Sequence, residues 1–467
     1  MTEQGKQKLD NYLDKVCAEI RAKEMHIEIR DELSGHYADL VAERMQLGAS
    51  EAEAQEYAIA QMGDPQVIGK DLHHIHKPRI PWGLLAGVLL LSAVSLLGMG
   101  SIEAGGYFER NQFVPMQRQL IIIIIGMCLM TGAYFINFKR LQKASTSIYL
   151  AALMTIALSV LLMPVMINGS RRFVGALGFY IDLIGYSPYV FVVALAGIFT
   201  RPDFLQGYNI RVRELLKLSL LLLPAVIYAM IRSFPELIIY GVVSLTMYVW
   251  VSRRWVTGIL IAAVSLFSGR IYVWSDPILR ERLIGAINYN LRPDTTGYMN
   301  RTIVNVIHSA GWRGQGYGYN GDVIPYAYTD LFPAYLIQCF GWAGGLLILA
   351  VVGWFVLKMI SYARAVSDTY GRMLIIGLAL MISIRLVYGL SILSGRVPLT
   401  SIPFPFLSYG QHVLIEFAAV GLLMAVYRRK DMLPASQAMS KLWTLTVSYT
   451  YTEGVRLRIK TGEAIDK

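Results

Sequence analysis

The stretch Tyr326-Ala327-Tyr328-Thr329-Asp330-Leu331-Phe332-Pro333 sets one carboxylate, Asp330, at the edge of a long apolar run. An ionisable group there is costly unless it faces a cavity or a partner. Two roles suit it. Asp330 can cap the helix that Pro333 opens, because Asp before Pro is an ordinary helix start. It can also act as a general base. Arg171 and Arg172 follow Asn168-Gly169 just after another apolar run, and Arg396 follows Ser394-Gly395. Arginine grips phosphate oxygens through paired hydrogen bonds; contact with lipid headgroups is the alternative for the arginine pair. His412 and Glu416 stand one turn apart in the last apolar run and can satisfy each other as a structural pair. His73, His74 and His76 lack an evident fourth ligand and read as a polar tether rather than a metal centre. Residues 311–318 resemble a phosphate loop only in their glycines, without the lysine or the strand–helix setting. Cys17, Cys128 and Cys339 show no metal or disulfide spacing and read as packing residues. No Ser/His/Asp order and no HExxH is present. Any chemistry must draw on one carboxylate and several arginines.

The elements that position these residues are set by composition. The chain of 467 residues is 55% hydrophobic and 16% charged, with mean hydropathy +0.46. Soluble domains carry about 25% charged residues, so this is a membrane composition. Residues 1–79 hold 10 basic and 15 acidic side chains, a net of −5, against +11 for the whole chain; the remainder is therefore +16. The shift marks a boundary near Pro78-Arg79-Ile80-Pro81. A basic membrane region suits anionic headgroups or lipid-linked anionic substrates. The basic residues are scattered between apolar runs, which argues against nucleic acid.

A membrane span needs about 20 apolar residues. Ten candidates recur, at 82–100, 120–138, 146–166, 187–200, 215–231, 236–252, 256–274, 332–358, 373–393 and 411–427, the fourth being short. Lys139, Arg140 and Lys143, then Arg201, Arg211 and Arg213, then Arg253 and Arg254, then Lys358 and Arg364, then Arg428 to Lys430 all fall on one side. The positive-inside bias makes that side the cytoplasm and puts both termini there. The polar N-terminus predicts no cleavable signal peptide, so the first span acts as the insertion signal. The expected architecture is all-α. A soluble three-helix domain (1–79) precedes a transmembrane region (80–430) with an outer loop at about 275–331, and a cytoplasmic tail (431–467) follows. The loop is long enough to be functional, and 300–309 is amphipathic. In 1–79, Leu9, Leu13, Val16, Cys17 and Ile20 fall on one helical face. A second helix covers about 27–46. Ser50 and Glu53 form a capping box for the third, which Gly63-Asp64-Pro65 ends.

The segment GRVPLTSIPFPFLSYGQHVLIEFAAVGLL, 395–423, resembles the closing signature of the SEDS family (shape, elongation, division and sporulation), the FtsW/RodA/SpoVE group. Arg396, Pro398, Thr400, Pro403, Pro405, Phe406, Ser408, Tyr409 and Gly410 match it, whereas Ser401 and Gln411 replace glycines. NGSRRFVGALGFY, 168–180, and GYMNRTIVNVIHSAGWRGQGYGYNG, 297–321, are similar to two further family segments. Thr329-Asp330 falls on the family's loop T-D. The resemblance covers about 80–430. It implies a peptidoglycan glycosyltransferase that polymerises lipid II, a disaccharide-peptide on undecaprenyl pyrophosphate, with inversion at the donor sugar. Asp330 would be the base. Arg171, Arg172 and Arg396 would stabilise the pyrophosphate, with Thr329, Ser408 and Tyr409 as further substrate positions. The expected partner is a class B penicillin-binding protein, a transpeptidase, in the plasma membrane. No cofactor is implied, and a divalent cation is left open. The chain departs from the family at five charged positions. Tyr326 stands for a glutamate, Ile337-Gln338-Cys339 replaces G-E-E, and YSPYVFVV at the fourth span lacks a Glu and a Lys. The alternative is therefore a non-catalytic relative that binds lipid-linked precursor or a cell-wall synthase and signals through its N-terminal domain. Lipid transport fits least, for want of paired charges in the spans. Residues 57–65, YAIAQMGDP, resemble the HAAS signalling domain of Gram-positive membrane proteins, which implies a cytoplasmic partner for 1–79.

Overall fold

The computed structural model describes residues 3–21, 26–75, 79–107, 114–162, 173–176, 179–201, 207–321, 324–400 and 402–430. The chain divides into two compact units, one holding the N-terminal residues through Arg79 and the other Ile80–Tyr427.

The N-terminal unit contains α1 (Glu3–Glu19), α2 (His26–Gln46), α3 (Glu51–Met62) and α4 (Pro65–Ile75). Leu9, Leu13, Val16, Cys17 and Ile20 are all buried, and Tyr12, Ile29, Tyr37, Ala58 and Met62 complete the core. The capping box is formed. Ser50 Oγ accepts from the Glu53 N–H at 3.4 Å, and the Glu53 carboxylate accepts from the Ser50 N–H at 3.1 Å. These bonds hold the Glu53 carboxyl below its usual range. The unit has four helices where three were expected. Gly63-Asp64-Pro65 ends α3 and begins α4 at once: Asp64 Oδ1 accepts from the Gln66 N–H at 2.9 Å, and Pro65 needs no N–H partner in the first turn.

The second unit contains α5 (Trp82–Ala104), α6 (Pro115–Phe135), a short α7 (Phe138–Lys143) and α8 (Ser145–Leu162). A two-stranded antiparallel hairpin follows, β1 (Phe173–Ala176) and β2 (Phe179–Asp182), with Phe173 opposite Asp182. Then come α9 (Leu183–Thr200), α10 (Ile210–Met230), α11 (Phe234–Ser252) and α12 (Trp255–Ser275). The long loop holds α13 (Pro277–Ile287) and α14 (Tyr298–Ala310), and α15 (Phe332–Ala365), α16 (Thr369–Ile392) and α17 (His412–Arg428) complete the unit. Ten of these helices lie where the ten spans were expected. Seven of them, α5, α6, α9, α11, α12, α15 and α16, are long and apolar enough to cross a membrane. The hairpin is the one addition to an all-helical reading among the described residues.

Helix α9 forms the centre, buried along nearly its whole length against α8, α11 and α16. On the cytoplasmic-facing end expected from the charges, Asp368 caps α16 by accepting from the Gly371 N–H at 2.7 Å, and Lys139 pairs with it at 2.7 Å. At the other end the loop is ordered as expected: α14 buries Asn300, Ile303, Val306 and Ala310 on one face.

Helix α15 is broken at Gly341, whose backbone (φ 72°, ψ −172°) is not helical. That region of backbone space is nearly exclusive to glycine. The break frees polar groups that residues 311–316 take up. Gln315 N–H donates to the Gln338 carbonyl at 2.8 Å and Gly316 N–H to the Cys339 carbonyl at 3.0 Å. In return, Trp342 N–H donates to the Gly311 carbonyl at 2.8 Å and Ala343 N–H to that of Trp312 at 3.3 Å. Gly314 and Gly341 lie against each other's backbones, so a Cβ on either would collide with main chain. The glycine-rich stretch is thus a dock for the broken helix. Gly341→Ala is expected to cost about 1–3 kcal/mol, read as a lower melting temperature of the purified protein in detergent. Gly132→Ala in α6, where a Cβ meets nothing within 4 Å, should leave the melting temperature unchanged or raise it slightly.

Candidate active site

The residues around Asp330 form a tight turn. Tyr326 has φ 59°, the left-handed region that a bulky side chain rarely adopts. Its carbonyl accepts from the N–H groups of Thr329 at 3.0 Å and Leu331 at 3.4 Å. This curls Thr329 and Asp330 against the start of α15 and leaves Asp330 half-buried. The N-cap position of α15 is Leu331, which makes no side-chain cap bond. The capping position expected for Asp330 therefore falls one residue later.

A second segment, 398–410 with residue 401 outside the described residues, crosses this turn and is tied to it twice. Tyr409 N–H donates to the Tyr328 carbonyl at 2.8 Å, and Ser408 Oγ donates to the Thr329 carbonyl at 2.7 Å. Ser408 is 0% exposed, and its hydroxyl also accepts from the Phe404 N–H at 2.9 Å. Its hydroxyl thus donates once and accepts once within the protein. The Tyr328 and Tyr409 rings meet edge to face at 6.2 Å. Burial, with Tyr326, Tyr409 and Asp330 nearby, holds the Tyr328 phenol above its ordinary range, so it stays protonated at neutral pH.

The far end of the same segment is held by residues that sequence reading did not single out. Tyr388 of α16 donates from its hydroxyl to the Pro398 carbonyl at 2.7 Å and accepts from Thr400 N–H at 3.0 Å and Thr400 Oγ1 at 2.7 Å. The Asp330 carboxylate is within electrostatic range of this hydroxyl. Asn300 of α14 donates 3.0 Å bonds to the carbonyls of Gly395 and Val397, bracketing Arg396. Arg396 itself is exposed. The buried asparagine at the start of the amphipathic stretch 300–309 was the available signal, because a polar residue on an apolar face needs a reason to be there. Thr329, Asp330, Ser408 and Tyr409 are thus brought together, and Arg396 lies just before the segment, between the two carbonyls that Asn300 holds. Arg171 and Arg172 lie outside the described residues, as does His76 of the histidine tether. Among the described residues no three His, Cys, Asp or Glu side chains converge on a metal position.

The pairing expected between His412 and Glu416 does not form. Glu416 Oε2 accepts instead from the Phe406 N–H at 2.9 Å, and His412 Nε2 has no partner among the described residues. The irregular loop has an unsatisfied N–H at that depth, and it outcompetes the histidine.

With this geometry in view, comparisons with known proteins are specific. Residues 79–432 match the family model of the FtsW/RodA/SpoVE cell cycle proteins. The chain is similar to a probable peptidoglycan glycosyltransferase FtsW of Thioalkalivibrio sulfidiphilus, 25% identical over 360 residues, covering 73% of this chain and 88% of that one. It is 30% identical over 160 residues to stage V sporulation protein E of Bacillus subtilis, covering 33% and 44% of the two chains. Among solved structures, a chain of a peptidoglycan synthase complex superposes with a TM-score of 0.62 at 20% identity, covering 75% of this chain and 98% of that one. The rod shape determining protein RodA of Thermus thermophilus superposes with a TM-score of 0.54 at 19% identity, covering 75% and 97%. At these identities the structural likeness establishes the fold.

The supporting and exposed residues should separate on mutation. Ser408→Ala leaves the buried Phe404 N–H without its partner and the Thr329 carbonyl with only the Phe332 N–H at 3.3 Å, a loss of about 1–3 kcal/mol, and should lower the melting temperature. Arg396→Ala removes an exposed side chain and should leave it unchanged. A thermal scan of both variants in detergent distinguishes the two roles.

Proposed function

The chain belongs to the FtsW/RodA/SpoVE family of cell cycle proteins, and from that premise we propose that it polymerises lipid II into glycan strands as a peptidoglycan glycosyltransferase. The observation that carries this reading is the double tie between 328–329 and 408–409, which fixes the backbone beside the half-buried Asp330 just before α15. A general base works only when its geometry is fixed within hydrogen-bond reach of the proton it takes. Asp330 accepts the proton of the acceptor sugar's 4-hydroxyl. The freed oxygen attacks the anomeric carbon of the donor, whose bond to the pyrophosphate oxygen breaks. Undecaprenyl pyrophosphate leaves, and direct displacement inverts the donor carbon. Charge grows on the leaving group, where Arg396, with Arg171 and Arg172, stabilises it. Thr329 and Tyr409 border the reacting sugars, and the bilayer holds both lipid tails in register.

The protein is a multi-pass membrane protein. In this reading both termini are cytoplasmic, which places Asp330 and Arg396 on the outer face with the lipid-linked sugars. One of the structural neighbours works within a peptidoglycan synthase complex, which supports a transpeptidase of the class B penicillin-binding type as partner. The N-terminal unit, with its HAAS likeness, is a cytoplasmic partner-binding or regulatory module.

A second reading, a non-catalytic binder of the same precursor, has its own support. Gln338 and Cys339 are buried and serve the break in α15 through their carbonyls where the family's signature has acids.

The test is polymer formation from labelled lipid II by the purified protein, alone and with candidate transpeptidases, beside an active family member. Wild type should give glycan polymer. Asp330→Asn, equally folded, should lose about 10²- to 10⁴-fold in rate, the range of general-base help. Arg396→Ala should lose at least about tenfold. Equal product from wild type and Asp330→Asn removes Asp330 from the chemistry. Lipid II binding without product from either selects the second reading. A chelator added to the same assay reads any dependence on a divalent cation.

A further inference from the structure

Glu416 sits in α17 and is 0% exposed. A carboxylate buried so completely persists only where it has a partner that needs it. Its Oε2 accepts from the Phe406 N–H at 2.9 Å. Phe406 has φ 61°, a left-handed conformation that costs a bulky residue and is retained only when its surroundings over-determine it. The Phe406 ring meets Phe355 edge to face at 5.9 Å and Phe417 at 5.5 Å, while Glu416 holds its N–H. The twist at Phe406 aims the next residues at the Asp330 turn, where Ser408 and Tyr409 bond the carbonyls of Thr329 and Tyr328.

Glu416 also faces a buried opposite charge. Arg385 of α16 is 3% exposed, donates to the Gly185 carbonyl of α9 at 3.3 Å, and lies 5.2 Å from the centre of the Tyr189 ring. It is within electrostatic range of Glu416 without closing to an ion pair. Arg385 Nε and Glu416 Oε1 have no hydrogen-bond partner among the described residues. A plain packing role at 416 would be served better by an apolar side chain.

We propose that Glu416 is a positioning residue for Asp330, acting through the Phe406–Tyr409 backbone. This rests on the reading of Asp330 as the base. It goes beyond that reading by assigning the base's position to a buried carboxyl group in the last helix, far from the turn in sequence.

The experiment uses full-length protein with labelled lipid II. Glu416→Ala removes acceptor and charge; Glu416→Gln keeps an acceptor and removes only the charge. The expected result is a kcat lowered at least tenfold in Glu416→Ala and less in Glu416→Gln, with KM within twofold of wild type in both. Wild-type kcat in both Glu416 variants would overturn the proposal. A second readout does not depend on activity. In a Cys128→Ser background, the thiol of Asp330→Cys is titrated with a water-soluble maleimide, with and without Glu416→Gln. A labelling rate changed severalfold supports the positioning role, and an unchanged rate defeats it. If wild type makes no polymer, the proposed reaction fails while the thiol measurement still decides the positioning.

Discussion

Backbone that leaves the helix inside a membrane must have its N–H and C=O groups satisfied by protein, because lipid offers no partner. The segment 398–410 is such backbone, and the second unit depends on how its bonds are met. Ser95 of α5 donates to the Leu407 carbonyl at 2.6 Å, and Gln119 of α6 reaches the Ser408 carbonyl at 3.4 Å and Ser95 at 3.1 Å. Tyr388 of α16 and Asn300 of α14 hold the early part, and Glu416 of α17 holds the middle. Helices remote in sequence are thereby fixed about one strand of irregular chain. The same strand reaches the Asp330 turn, so the requirement that satisfies the loop also sets the position of the carboxylate.

The break in α15 obeys the same rule from the other side. Opening a helix at Gly341 exposes carbonyls at membrane depth, and the loop segment 311–316 covers them with its own N–H groups. The ties continue outward: Ser101 of α5 bonds the Tyr335 hydroxyl at 2.9 Å and accepts from the Gly318 N–H at 2.9 Å. The outer loop is thus anchored to the helix that carries Asp330 at its tip. Substrate binding on this face would act on a frame already stiffened by these bonds. Fixed geometry of that kind is what a positioned base requires.

Local patterns in the sequence were read well. Helical spacing identified the buried face of α1 down to Cys17, the capping box at Ser50 is present bond for bond, and apolar runs located ten long helices. The amphipathic stretch at 300–309 is α14. What escaped reading was cross-chain. Gly63-Asp64-Pro65 carries stop and start signals together, and only the tertiary core shows that α4 follows. His412 and Glu416 are one turn apart, yet Glu416 bonds a loop N–H that no spacing rule could assign. Asn300 and Tyr388 act on a segment roughly a hundred residues away or around a corner of the chain, and the bond of Ser408 to Thr329 likewise joins residues distant in sequence. Asp330 stands out by its type and place, and the role proposed for it comes from the family likeness rather than from local chemistry.

The most direct test of the central claim is an experimental structure of the protein with lipid II in lipid nanodiscs. The account predicts an acceptor sugar hydroxyl within hydrogen-bond reach of the Asp330 carboxylate, about 2.6–3.2 Å, with the donor pyrophosphate facing Arg396 and the ties from 408–409 to 328–329 intact. Lipid II bound with its sugars away from Asp330, or an Asp330 carboxylate closed onto protein groups in the bound state, would contradict it.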